Sequence, residues 1–159
     1  RGDGRDDLAR DEPRLVALQK LFEETRVSLP LVISAAVGSG GATLISAQRI
    51  EAFWIAVQHV QPLAVGLNCC EGPDVLRPFI AELADSANCF TSCYPNAGLP
   101  NPLAPTGFDL EPDDMAAYMA DFAQAGMLNI AGGCCGNTPE HIAAISEALK
   151  PHAPRPLPA

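Results

Sequence analysis

Two pairs of adjacent cysteines, Cys69-Cys70 and Cys134-Cys135, are the residues in this sequence best suited to chemistry. Each pair ends a short apolar run that contains glycine, residues 64–68 before the first pair and 128–133 before the second. Runs of this length, followed by a turn and a helical pattern, are typical of buried strands in α/β proteins. The carboxyl ends of parallel strands meet at one edge of a sheet. Thiols from the two pairs can therefore converge there on one metal ion.

Zinc is the metal that such a cluster suits, because thiolate sulfur is soft and zinc is borderline-soft. Three protein ligands would leave the fourth tetrahedral position open, as in catalytic rather than structural zinc sites. The alternative is that these cysteines act as small apolar residues that fill the core. The residues alone leave both interpretations open.

Composition excludes several classes of function. The chain has 159 residues, 48% of them hydrophobic, which suits one domain with a core of its own. Its net charge of -9 and the lack of a basic run argue against nucleic-acid binding. Because no apolar run is long enough to cross a membrane and no secretory pattern is found, we expect a cytoplasmic protein without membrane contact. Cysteines in such a chain indicate metal binding or catalysis before disulfides.

Apolar periodicity predicts five helices that alternate with four strands, beginning and ending with a helix. Residues 1–12 are polar and charged and are expected to form a loop or a disordered lead. Pro13 is then expected to begin the first helix, and residues 13–150 to form the domain. Residues 151–159 contain four prolines and have the composition of a linker or tail.

This order of elements predicts an α/β fold with four parallel strands and flanking helices. Four such units make half of a (β/α)₈ barrel, since a whole barrel takes about 250 residues. As an open sheet on its own, the same arrangement would expose two strand edges.

Three motifs carry a resemblance to a known family. Residues 66–69 read Gly-Leu-Asn-Cys, residues 132–136 read Gly-Gly-Cys-Cys-Gly before Thr138-Pro139 and His141-Ile142, and residues 95–101 read Pro-Asn-Ala-Gly-Leu-Pro-Asn. In this order they resemble the homocysteine S-methyltransferases. Among these, the chain is most similar to the N-terminal homocysteine-binding modules of cobalamin-dependent methionine synthases. The resemblance spans about residues 29–158 and implies that they form the C-terminal half of a (β/α)₈ barrel.

The resemblance implies a zinc ion held by Cys69, Cys134 and Cys135, with the sulfur of homocysteine in the open position. It further implies transfer of a methyl group to that sulfur, which gives methionine. The donor would be methylcobalamin, which another module carries and which is recharged from methyltetrahydrofolate. Partner modules that bind cobalamin and folate are therefore expected.

Several other residues near these motifs have two interpretations. Asn68 and Asn96 are candidate substrate contacts, although Asn68 can instead shape the strand end and Asn96 can instead hold its turn. Cys70, Cys89 and Cys93 are expected to be packing residues. His141, in the first turn of a helix, is not expected to bind metal.

The chain also departs from the family pattern. The first half of the barrel is absent, including a strand that ends in a glutamate for the substrate amine. A complementary N-terminal half-barrel is therefore a candidate partner. The alternatives are a betaine- or S-methylmethionine-dependent homocysteine methyltransferase, and a truncated zinc-binding remnant without activity on its own. The Pro-Asn-Ala-Gly stretch and the proline-rich tail favour methionine synthase.

Overall fold

Four parallel strands form one sheet in the order β1-β2-β3-β4 in the computed structural model, which describes residues 5–38 and 49–158. The strands are β1 Val32–Ala36, β2 Ala64–Cys69, β3 Phe90–Pro95 and β4 Ile130–Ala131. When parallel strands neighbour one another in chain order, crossovers of one hand place the connecting helices on one face of the sheet. Such a sheet is an arc of a (β/α)₈ barrel, so the predicted fold class is confirmed.

The helices alternate with the strands as predicted. They are α1 Arg5–Thr25, α2 Ile50–Val57, α3 Pro73–Ser86, α4 Pro112–Gln124 and α5 Pro139–Leu149, and a short 3-10 turn, Gln58–Val60, follows α2. The last three each begin with proline, whose missing N–H costs nothing in the first turn. Gly126 follows α4 with a φ of 69°, the left-handed conformation that commonly ends a helix.

Helix α1 begins earlier than the predicted start of the first helix. It begins at Arg5, so residues 5–12, expected as a loop or disordered lead, are helical, and Pro13 lies inside the helix. Leucine, alanine, arginine and glutamate in this segment are good helix formers. The segment is polar nearly throughout, and periodicity cannot reveal a helix that has no apolar face.

The core lies between the helices and the outer face of the sheet. The helices contribute residues such as Trp54, Leu76, Ile80, Met119 and Phe122, and the strands contribute Val65, Leu67 and Cys93. Cys89 and Cys93 are both buried in this core, as predicted for packing residues.

The opposite face of the sheet corresponds to the interior of a barrel. Strand register places Ser34 beside Gly66 and Ser92, and Asn68 beside Tyr94. These small and polar residues line the half of the face towards the carboxyl ends of the strands. At the other end, Val32 and Phe90 are 51% and 37% exposed, so apolar surface remains uncovered there.

The proline-rich tail is attached to this domain through Arg155. Its backbone N–H donates to the carbonyl of Leu128, and its carbonyl accepts from the side chain of Asn129. Arg155 is 5% exposed, and its guanidinium donates to the carbonyls of Ala84, Ala87 and Cys89. The segment expected as a linker is therefore bound to the domain at least as far as residue 155.

We predict that Arg155→Ala lowers the free energy of unfolding by about 2–4 kcal/mol, because it leaves several buried carbonyls without a donor. Arg77→Ala is the matched control, since Arg77 pairs with Asp121 at the surface and should leave stability nearly unchanged. Urea unfolding of the two variants measures the difference. Equal effects would show that the tail does not stabilise the domain.

Candidate metal centre

The two cysteine pairs meet at the carboxyl ends of β2 and β4. The Sγ atoms of Cys69, Cys134 and Cys135 all lie within 4.8 Å of one another. The Cys69 and Cys134 sulfurs are 2.9 Å apart, and those of Cys134 and Cys135 are 3.8 Å apart. Residues from two distant parts of the chain thus form the cluster that the sequence predicted.

The chain turns sharply at the first pair. Cys69 and Cys70 have φ values of 59° and 70°, in the left-handed region that non-glycine residues seldom occupy. Strained backbone of this kind costs of order 1–3 kcal/mol per residue and persists where the surroundings impose it. Here it ends β2 at the residue whose sulfur enters the cluster.

Two glycines let the second pair approach the strands. A Cβ on Gly132 would lie 2.8 Å from the ring of Tyr94, and one on Gly133 would lie 2.2 Å from the side chain of Asn137. The N–H of Cys134 donates to the carbonyl of Pro95 at 2.8 Å, which fixes the loop against β3. The Gly-Gly-Cys-Cys sequence is therefore a packing requirement of the site.

Asn96 joins the two cysteine loops. Its side-chain oxygen accepts from the N–H of Cys135 at 3.1 Å, and its side-chain nitrogen donates to the carbonyl of Cys70. The neighbouring N–H of Ala97 donates to the carbonyl of Cys135 at 2.9 Å. Asn96 thus holds the backbone of both loops, which is one of the two roles predicted for it.

Asn68 contacts the cluster directly. Its side-chain nitrogen lies 3.2 Å from the Sγ of Cys69, and its oxygen accepts from the hydroxyl of Ser34. Ser34 was not among the candidates, because only the pairing of β1 with β2 brings it to Asn68. A polar residue in an otherwise apolar strand is the sequence signal that could have revealed Ser34.

The thiols differ in their tendency to ionise. Burial raises the pKa of Cys69, and the adjacent Cys134 thiol raises it further. Burial also raises the pKa of Cys70 and Cys89, and it brings the pKa of Cys93 to about 12. Cys93 is therefore inert at neutral pH, and a nearby cation would favour the ionisation of Cys69.

The donor set fits zinc. Three sulfur ligands match the protein contribution to a catalytic zinc site, and the exposed side of Cys135 leaves room for a fourth ligand. No second group of three His, Cys, Asp or Glu side chains at this spacing occurs among the described residues.

No helix in the described part of the chain is long and apolar enough to cross a membrane.

His141 has a structural role, in keeping with the sequence prediction. It is fully buried, its Nε2 donates to the carbonyl of Leu110 at 2.9 Å, and its Nδ1 accepts the N–H of Thr138 at 3.1 Å. This neutral tautomer satisfies both ring nitrogens and closes the first turn of α5. The ring therefore has no free nitrogen for a metal.

We predict that Cys69→Ala and Cys134→Ala each abolish retention of zinc, because two remaining thiolates make a poor site. Cys89→Ala is the control, since Cys89 packs in the core away from the cluster. Zinc per chain, measured by mass spectrometry after dialysis against a weak chelator, distinguishes the variants. Loss of zinc from Cys89→Ala as complete as from Cys134→Ala would contradict this ligand assignment.

Comparison with known proteins agrees with this geometry. The homocysteine S-methyltransferase family model matches residues 11–149. The fold is similar to the crystal structure of the homocysteine methyltransferase MmuM from Escherichia coli in its oxidized form, with a TM-score of 0.56 and 20% sequence identity. That match covers 84% of this chain and 40% of the MmuM chain, so the sequence spans less than half the length of this relative. The chain belongs to the homocysteine S-methyltransferase family.

Proposed function

We propose that this chain is the metal-binding half of a zinc-dependent methyltransferase that methylates the thiolate of homocysteine to give methionine. The observation that carries the proposal is the convergence of the three Sγ atoms of Cys69, Cys134 and Cys135 within 4.8 Å. They lie in the motifs that the family shares, at the strand ends where α/β barrels place their chemistry. The unpaired thiols in the described part of the chain suit a reducing compartment such as the cytoplasm.

Zinc bound by these three cysteines would keep a thiol in its fourth position deprotonated at neutral pH. The transfer itself forms a bond between that substrate sulfur and the methyl carbon, while the bond from methyl to donor breaks and its electron pair stays with the donor. The chain's own residues contribute positioning. Asn96 holds the two cysteine loops together, and the exposed side of Cys135 leaves the approach open.

Methylcobalamin, on a separate module, is the donor that we propose, as in the methionine synthases that the motifs resemble. Cobalamin- and folate-binding modules would then be its partners. The structure gives Asn96 and Arg155 roles inside this domain, so neither the Pro-Asn-Ala-Gly stretch nor the tail selects a donor by itself. Betaine and S-methylmethionine are the alternative donors, and the assay below compares them.

A complementary N-terminal half-barrel is the partner that the sheet itself favours. Four strands are half of the eight that close a (β/α)₈ barrel, and β1 and β4 are the edges of the described sheet. Val32 and Phe90 leave apolar surface on the face that a closed barrel would cover. Such an N-terminal half-barrel would also supply a carboxylate for the substrate amine.

We predict that the zinc-loaded chain alone methylates homocysteine slowly, and that an N-terminal half-barrel of a relative, added in trans, raises the rate at least tenfold. Holding both reactants in the reactive geometry gives effective molarities on the order of 10⁵ M or more. The lone chain loses most of this rate enhancement, because it lacks the carboxylate that would hold the substrate amine. Methionine formation is measured with methylcobalamin, betaine and S-methylmethionine as separate donors.

Zinc-loaded Cys89→Ala, supplied with the same half-barrel, controls for damage to the fold. A lone chain as fast as the reconstituted pair would contradict the half-barrel proposal. Turnover only with betaine or S-methylmethionine would replace the methylcobalamin assignment. Zinc binding without turnover under any condition would favour the inactive remnant.

A further inference from the structure

A short chain of hydrogen bonds leads from β1 to the sulfur of Cys69. The hydroxyl of Ser34 donates to the side-chain oxygen of Asn68, whose side-chain nitrogen lies 3.2 Å from the Cys69 Sγ. Ser34 stands beside Gly66 in the register of β1 and β2, which places its side chain on the same face of the sheet as that of Asn68. The contact thus depends on a pairing between strands, and it ends on one particular sulfur.

The groups at the two ends of this series of hydrogen bonds determine which way the Asn68 amide is turned. A metal-bound thiolate can only accept hydrogen bonds, so the Asn68 group that faces it must be the NH₂. The opposite end of the amide is then an oxygen, which needs a donor, and the Ser34 hydroxyl supplies one. Ser34 therefore holds the amide in the orientation that a thiolate requires.

Cys69 differs in this respect from the two other cysteines of the cluster. Among the described residues, neither Cys134 nor Cys135 has a side-chain amide N–H directed at its sulfur, and Cys135 is exposed. A hydrogen bond to a thiolate withdraws charge from the sulfur, and the thiolate is the nucleophilic form of cysteine. The donor from Asn68 therefore weakens Cys69 as a nucleophile.

We propose that Ser34 and Asn68 are positioning residues that hold an N–H against the Cys69 sulfur, so that the methyl group goes to the substrate thiolate and not to this ligand. The inference rests on the proposed zinc site. In the side reaction that it suppresses, the Cys69 sulfur would form a bond to the methyl carbon, and the electron pair of the broken bond would stay with the donor. The product would be a thioether, a poor zinc ligand.

The test is alkylation of the zinc-loaded chain by iodoacetamide, with the rate at each cysteine read by peptide mass spectrometry. In this reaction a cysteine sulfur bonds to the acetamide carbon and iodide leaves. Asn68→Ala and Ser34→Ala should each accelerate alkylation at Cys69 about five- to tenfold, with no comparable change at Cys134 or Cys135. Competition with a chelator should show zinc binding weakened by about tenfold in Asn68→Ala, as is usual for a residue that orients a ligand.

Two variants separate this role from damage to the sheet. Ser92→Ala is the matched control, because Ser92 lies on the same face beside Gly66 and its hydroxyl has no hydrogen-bond partner among the described residues. It should leave alkylation at Cys69 unchanged. Ser34→Thr keeps the hydroxyl at an exposed position and should restore the parental rate.

Three results would overturn the inference. One is an unchanged rate at Cys69 in both Asn68→Ala and Ser34→Ala, with zinc retained. Another is an equal rise at all three cysteines, which would mean that the site had merely loosened. Failure of the parental chain to hold zinc is the third, and it would refute the proposed function as well, so zinc stoichiometry tells the two failures apart.

Discussion

Three sulfur atoms lie within 4.8 Å of one another at the carboxyl edge of the sheet, and their charge is the constraint on which the site depends. Like charges this close repel strongly wherever the local dielectric is below that of water. Burial and the neighbouring thiol accordingly raise the pKa of Cys69, which disfavours its thiolate form. A bound divalent metal ion offsets the repulsion between the thiolates, because each of them is attracted to the positive charge of the ion. The same geometry that disfavours three free thiolates therefore favours zinc.

The conformation of the backbone around the cluster allows the three sulfur atoms to lie this close together. Consecutive left-handed residues end β2 at Cys69 and Cys70, and Gly132 and Gly133 bring the second loop against Tyr94 and Asn137. Asn96 then ties the loops together through its side chain. Each feature costs conformational freedom or strain, and together they hold donor atoms that come from two non-adjacent strands, β2 and β4. The site is thus preorganised by the fold, which is what a ligand set from two separate strands requires.

Much of this arrangement could be predicted from the sequence, and what could not has a physical reason. Apolar runs that end in cysteine predicted the strands and the cluster, because a buried parallel strand leaves a clear local pattern. The first turns of helix α1 were missed, since a segment that is polar nearly throughout has no periodicity to read. Ser34 was missed because its partner, Asn68, is 34 residues away, and only strand register brings them together. The docking of Arg155 was hidden for a similar reason, since backbone carbonyls leave no signature in the sequence.

Absorption at the zinc K-edge tests the central claim most directly. The account predicts one zinc per chain with three sulfur neighbours and one exchangeable oxygen or nitrogen, and a fourth sulfur once homocysteine is added. The Zn–S distance should be about 2.3 Å. A first shell dominated by nitrogen or oxygen, or one that homocysteine leaves unchanged, would contradict the account.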